Sequence, residues 1–248
     1  MLHVLCFVSM IQDFYPTLSE KEQLAHDILR FRFTVEKDKK LEFLAGQYMI
    51  LRIGDVRRLY SVLSSPHDTS YFDLLVQIVP NGIGSTHLMN VSVGDTAFFQ
   101  GPAGIFMIKD EKTQKIFMAT GTGIAPILSM IRTLLSSGHT DPLYLFWGLR
   151  AKRDLYFVKE IEKLRDAHEN LHPIICLSQE ADEEVFRNPI FRKGRINLYV
   201  HGFLQKDPAK KGDMTFYVCG AQTVVESLRV FLDGAGIEKY AIHFEKFV

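Results

Sequence analysis

Residues 115–135 read KIFMATGTGIAPILSMIRTLL, and the organisation of the whole chain turns on what they form. KIFMAT (115–120) is an apolar run of strand length. APILSMIRTLL (125–135) carries Ile127, Leu128, Ile131, Leu134 and Leu135 at helical spacing, with Gly138 beyond its end. Between them lies GTGIAP (121–126). Strand, glycine turn and helix in that order make a setting in which a turn can hold a phosphate. Gly121 and Gly123 permit positive φ and close backbone approach. The helix start offers unpaired N–H groups and the positive end of its dipole. Thr122 adds a hydroxyl, and Pro126 falls in the first turn, where its missing N–H costs little. Pro126 also stands where a dinucleotide fingerprint has its third glycine, and no Lys-Ser/Thr pair follows, so neither that fingerprint nor a P-loop is present. By itself the stretch reads equally well as a phosphate cradle or a plain strand-to-helix connection.

Downstream the alternation continues. LYLFW (143–147), PIICLS (173–178), TFYVCG (215–220) and IHFEKF (242–247) are strand candidates. Asp154 is expected to cap a helix running to about Ala167, with Leu155, Val158, Ile161 and Leu164 inward, and a further helix is expected over 221–233. This order predicts a parallel sheet with helices on both faces. The polar stretch 180–212 gives no clear element. Upstream the pattern is different. In LRFRFTV (29–35), Leu29, Phe31, Phe33 and Val35 alternate with polar residues, the period of a half-buried strand. YMILRI (48–53), YFDLLVQIV (71–79), TAFFQG (96–101) and a stretch near 14–20 add short strands between turn signals, which suggests a closed antiparallel barrel or sandwich. The expected organisation is an N-terminal extension (1–13), an antiparallel β-barrel (14–109) and an α/β domain with a parallel sheet (110–248), joined by the polar segment KDEKTQK (109–115).

Composition narrows the function. Lys plus Arg and Asp plus Glu both number 29, so no basic excess points to nucleic acid. Cys6, Cys176 and Cys219 lie far apart, which is neither a disulfide framework nor a zinc pattern. An ordinary iron–sulfur cluster needs four grouped thiolates, and this chain has three cysteines. Sparse cysteine suits a reducing cytoplasm. MLHVLCFVSMI at the start is shorter than the ~20 residues of a membrane span and has no basic leader, so no membrane span is expected. His87, His201 and His243 form no metal-ligand grouping, and no metal is expected.

RLYSVLSSP (58–66) is the second informative stretch. The guanidinium of Arg58 can pair with a phosphate in fork geometry. Tyr60, two residues on, shares its side of a strand and can stack on a flat ring, and the Ser61 hydroxyl can bond a ring nitrogen. On four residues alone, a charged turn beside a barrel strand is the simpler account.

Taken together, RLYS in a β domain, GTGIAP opening an α/β domain and CGAQTVV (219–225) before the last helix resemble the ferredoxin–NADP reductase family of flavoproteins, over roughly residues 14–248. RLYS matches that family's R-x-Y-S/T flavin motif. PNGIGSTHL (80–88) resembles its second flavin segment, with Gly82 and Ser85, and GPAG (101–104) the turn closing the barrel. FWGLRAKRDLYF (146–157) resembles its pyridine-nucleotide ribose segment, with Gly148, Arg150 and Asp154, and HFEKFV its C-terminal segment. The resemblance implies an FAD-dependent NAD(P)H oxidoreductase. Arg58 would pair with the flavin phosphate, Tyr60 stack on its ring and Ser61 bond near N5. Gly82, Ser85 and Thr86 would hold the pyrophosphate, with Glu245 and Phe247 reaching the flavin from the C-terminus. Gly121, Thr122 and Gly123 would cradle the pyridine nucleotide, and Cys219 and Gly220 border the nicotinamide. Ser61, Cys219 and Glu245 are the candidate catalytic residues. Relatives that use NADPH often carry Ser-Arg after the third strand of this domain. Here Ser178 is followed by Gln179 and Glu180, with Asp182, Glu183 and Glu184 beyond, which favours NADH over NADPH. The electron acceptor is expected to be external, a ferredoxin or an oxygenase component. A diffusible flavin or ferric chelate as acceptor, or a non-catalytic sensor or electron-transfer subunit, remain open.

Overall fold

The computed structural model describes residues 11–109, 114–206 and 208–247. Most of the 1–13 extension, Cys6 and the centre of the 109–115 linker lie outside these.

The first half is an antiparallel barrel built from two sheets. One sheet runs β1 (Gln12–Phe14), β7 (Phe99–Ala103), β4 (Tyr48–Ile53), β5 (Val56–Ser61). The other runs β2 (Thr17–Ala25), β3 (Ile28–Thr34), β6 (Tyr71–Gln77). Single bridges at Thr17–Thr96 and Val62–Leu74 join the sheets at two corners. The inward residues of the alternating pattern, Phe31, Phe33, Phe72, Leu74 and Phe99, are fully buried. The rings of Phe33, Phe72 and Phe99 meet at centroid distances of 5.0–5.5 Å, in stacked and edge-to-face pairs that suit the ring quadrupole. Asp73 breaks the apolar pattern of β6 and is buried. Its carboxylate accepts a forked pair of hydrogen bonds from Arg32 at 2.8 and 2.9 Å, the form of pairing a buried charge requires. β1 starts at Gln12, so the barrel pairing reaches two residues into the stretch read as an extension. A short helix α1 (Ile83–Asn90) follows β6.

The second half is a six-stranded parallel sheet in the order β11 (Phe191–Lys193), β10 (Leu171–Leu177), β9 (Leu143–Leu149), β8 (Gln114–Thr120), β12 (Met214–Ala221), β13 (Ile242–Phe247). Helices α2 (Ile124–Ser136) and α3 (Val158–Ala167) cover one face, and α4 (Ile196–Lys206) and α5 (Gln222–Gly234) the other. The chain moves outward from β8 to β11, then returns to β8's other side as β12. The GTG turn after β8 therefore sits where the strand order reverses, the place where open α/β sheets bind ligands.

Helix α2 is buried well beyond its expected stripe. Ala125, Pro126, Ser129 and Met130 are covered along with the Ile and Leu residues, because the barrel packs on the face turned away from the sheet. It ends as a Schellman motif. The N–H groups of Gly138 and His139 bond Leu135 O and Leu134 O, and Gly138 takes φ +77°. Gly138→Ala is expected to cost about 1 kcal/mol through the left-handed backbone alone, read as a lower thermal midpoint with unchanged cofactor content.

Two expectations change. Asp154 does not cap the third helix. Its carboxylate accepts the Ala151 N–H at 3.0 Å and closes a 3-10 turn at Lys152–Asp154, while α3 starts at Val158, after Phe157 at φ +56°. The stretch 180–212 also holds regular structure, β11 and α4. Both are hard to read from sequence: β11 is a three-residue edge strand, and α4 buries only Ile196, Val200 and Leu204 around a mid-helix glycine, Gly202. Among the described residues, no helix is long and apolar enough to cross a membrane.

Candidate functional site

Strand β5 delivers the RLYS residues. Pairing with β4 sets Arg58 opposite Leu51 and Tyr60 opposite Met49, so the guanidinium and the phenol share one face. Arg58 is exposed, whereas Tyr60 is mostly covered and burial pushes its hydroxyl up to about 12. Gly84, in the first turn of α1, packs on this pair. A Cβ there would lie 2.4 Å from Tyr60 Oη and 2.8 Å from Arg58 Cγ, so only glycine lets the helix start approach the strand this closely. Ser85 Oγ lies 3.2–3.3 Å from Val79 N, Val79 O and Gly82 O and closes the turn ahead of α1, while Thr86 is exposed.

Ser61 is buried, and its hydroxyl donates to Glu245 Oε2 at 2.8 Å across 184 residues of sequence. Glu245 lies opposite Cys219 in the β12–β13 register. Burial raises the Glu245 carboxyl to about 7, against the smaller opposing pull of the Ser61 hydrogen bond. Burial, and secondarily the Glu245 charge, push the Cys219 thiol well above its usual range, so it is neutral and no activated nucleophile. A cavity of about 420 Å³ opens beside these groups. Arg58, Tyr60 and Ser61 line it, with Gly82 and Ser85 on one side and Thr122 and Phe247 on the other. Flavin-domain and α/β-domain candidates thus meet in one pocket.

The glycines of the second turn have separate jobs. Gly121 takes φ +51° over open space, as a ligand cradle requires. Gly123 has φ −59°, so positive φ is not what it supplies. A Cβ there would lie 2.3 Å from Cys219 O, so Gly123 allows the turn to touch β12. Trp147 supports the turn by donating its indole N–H to Gly121 O at 3.1 Å. Thr120 Oγ1 is buried with no hydrogen-bond partner and lies 2.1 Å from where a Gly220 Cβ would be.

The ribose candidates lie around the end of β9. Gly148 makes room for Ile196 of α4, which would sit 3.2 Å from a Cβ there. Arg150 is exposed at the end of β9, and its carbonyl accepts the Gln179 N–H next to Ser178. Asp154 holds the Ala151 N–H next to Arg150 with one carboxylate oxygen, and its other oxygen lies 3.8 Å from His26 of the barrel. Sequence reasoning did not single out Trp147, Thr120, Ser129 or Arg132.

Two family models divide the chain as this geometry does. One, an oxidoreductase FAD-binding domain, matches residues 16–108, and the other, an oxidoreductase NAD-binding domain, matches 117–229. The ferredoxin–NAD(P)(+) reductase component of a naphthalene 1,2-dioxygenase system from Pseudomonas putida is 30% identical over 236 residues, covering 93% of this chain and 68% of that protein. The chain belongs to the ferredoxin–NAD(P) reductase family. The anthranilate 1,2-dioxygenase electron transfer component of Acinetobacter baylyi is 27% identical over 215 residues, covering 85% of this chain and 60% of that one. The chain thus spans about three-fifths to two-thirds of the length of these relatives. Among solved structures, the Amycolatopsis cytochrome P450 reductase GcoB superposes with a TM-score of 0.84 at 25% identity, covering 96% of this chain and 70% of that one.

The residues of this family member fit the two nucleotides its domains imply. For the flavin there are a phenol at the cavity wall, an exposed guanidinium and a helix start that Gly84 lets pack close against both. For the pyridine nucleotide there are the open face of Gly121 and the unpartnered hydroxyl of Thr120. Among the described residues, no group of three or more His, Cys, Asp or Glu is arranged to hold a metal.

Proposed function

We propose that this chain is an FAD-dependent oxidoreductase that takes a hydride from NAD(P)H and passes electrons to an acceptor outside these 248 residues, a ferredoxin-type protein or an oxygenase component. The observation that carries the reading is the Ser61–Glu245 hydrogen bond at the wall of a cavity shared by both domains. When bound, FAD would supply two-electron uptake and one-electron release. Arg58, with the α1 start at Gly82–Thr86, would hold its phosphates, and Tyr60 and Phe247 would flank its ring. Gly121, Thr122 and Gly123 would hold the pyridine nucleotide, with Gly220 and Thr120 beside it. The protein's work is alignment and exclusion of water.

Ser61 and Glu245 also manage a proton. With Glu245 ionised, the serine hydrogen is committed to Oε2 and the hydroxyl can only accept from the cavity. With Glu245 protonated, the carboxyl can donate to Ser61 Oγ and free the serine hydrogen to point into the cavity. The free, buried Cys176 and Cys219 support a reducing compartment such as the cytoplasm.

Glu180 supports NADH as the donor. Its carboxylate accepts the N–H groups of Lys152, Asp182 and Ala181 at 2.6, 2.7 and 2.8 Å, and those of Asp182 and Lys152 hold it below the usual carboxylate range. A fixed negative charge then stands two residues past Ser178, followed by Asp182, Glu183 and Glu184, and would repel a 2′-phosphate there. Anaerobic mixing of the FAD-loaded protein with each donor is expected to bleach the flavin band with NADH at least about 10-fold more efficiently than with NADPH. Equal or better reduction by NADPH would remove the donor assignment. No bleaching by either would remove the proposed function.

A further inference from the structure

The cavity is assembled from two domains, and the distance between its halves has to be set by something that touches both. Helix α2 does. Its N-terminal end continues directly from the GTG turn. About 9 Å further along, it grips the barrel segment that follows Ser61. Ser129 Oγ, fully buried, donates to Ser64 O at 2.6 Å. Arg132 Nη1 donates to Leu63 O at 2.6 Å, while its Nε and Nη2 are held by Glu160 of α3. One turn further on, Ser136 Oγ meets His67 Nε2 at 2.5 Å. Positions 129, 132 and 136 form one helix face, and that face is the one turned toward the barrel.

The gripped segment is divided cleanly. Its N–H groups belong to the barrel: Val62 N–H bonds Gln47 O and Leu63 N–H bonds Asp73 O. Its carbonyls at 63 and 64 belong to α2. One residue, Val62, separates Ser61 from Leu63, so a displacement at Leu63 is passed on to Ser61 with little slack.

We propose that Arg132 and Ser129 are positioning residues which, through the Leu63 and Ser64 carbonyls, set the separation between the Tyr60–Ser61 wall and the Gly121–Gly123 turn. The inference rests on the proposed hydride-transfer function and deepens it. Neither side chain lines the cavity. Their effect reaches it through a closed path: Ser61, Leu63 and Ser64, then Ser129 and Arg132, then α2 back to Gly123.

The test is anaerobic stopped-flow reduction of FAD-loaded wild type, Ser129→Ala and Arg132→Met across a range of NADH concentrations, which separates the limiting rate from the NADH Kd. Each variant is expected to lose roughly 10-fold in limiting rate with Kd within about twofold, since hydride transfer depends steeply on alignment whereas binding contacts are untouched. The double variant is expected to lose less than the product of the two. Limiting rates within twofold of wild type in both variants, or a loss confined to Kd, would overturn the proposal. Should Arg132→Met fail to retain FAD, Arg132→Lys takes its place, keeping the charge toward Glu160 without the fork that reaches Leu63 as well, and the same limits apply. A wild type that neither donor reduces would instead overturn the underlying function.

Discussion

Glu245→Gln is expected to flatten the pH profile of flavin reduction by NADH, holding the limiting rate near the wild-type acid-side value up to pH 8.5, because the amide N–H can donate to Ser61 Oγ as the protonated carboxyl does. The wild-type carboxyl titrates at about 7, because burial disfavours its charged form more than the Ser61 hydrogen bond favours it. The carboxyl is protonated below that pH and ionised above it. Only the protonated form frees the Ser61 hydrogen for an acceptor in the cavity, so the wild-type rate is expected to be highest near pH 6 and to fall as pH rises through about 7. The titratable neighbour on β12, Cys219, is neutral throughout this window, so the limb belongs to Glu245. Glutamine cannot exchange donor for acceptor with pH, and the limb disappears with it. Ser61→Ala is expected to lose the limb too. Rates measured from pH 5.5 to 8.5 at saturating NADH check this, and an unchanged limb in Glu245→Gln would assign the titration elsewhere.

Gly123→Ala is expected to damage both stability and nucleotide binding. The new methyl would lie 2.3 Å from Cys219 O, 2.5 Å from Cys219 C and 2.7 Å from Gly220 Cα, all backbone atoms that no rotamer change can move. Helix α2 cannot back away, because Met130 and its neighbours are wedged against the barrel on the other side. Overpacking of this kind typically costs about 1–3 kcal/mol, and rigid backing on both sides puts this site at the upper end. Any relief must come from the Cys219–Gly220 segment or the turn itself, so NADH is expected to bind at least about 10-fold more weakly. Gly121→Ala is the comparison. Its methyl meets nothing within 4 Å, so only the positive φ costs stability, about 1 kcal/mol. Urea unfolding and NADH titration of both variants decide the matter. Equal loss of stability in the two would mean that contact with β12 is not what requires glycine at 123.

Much of the fold was legible because burial on one face imposes a period. β3 carries its inward residues where the alternation put them, and α2, α5 and β13 fall close to their expected spans. The grouping of Arg58, Tyr60 and Ser61 at the cavity was also legible, since they are consecutive or alternate on one strand. What sequence could not give was contact between distant segments. Nothing near Ser61 announces Glu245, and nothing in α2 announces that Ser129 and Arg132 serve carbonyls more than sixty residues earlier. Asp154 was misread for a local reason: an aspartate ahead of an apolar helix is a good cap candidate, but the Ala151 N–H captured it first. Gly123 was assigned the right segment and the wrong constraint, because a glycine needed for contact and one needed for φ look alike in a sequence.

The indole of Trp147 has a practical consequence. It is the sole tryptophan of the chain, fully buried, with its N–H on the carbonyl of Gly121 and the Tyr156 ring edge-on at 4.9 Å. Its tryptophan emission therefore originates at the Gly121–Gly123 turn and nowhere else, which makes the protein its own fluorescent gauge of what happens at that turn, with no label attached.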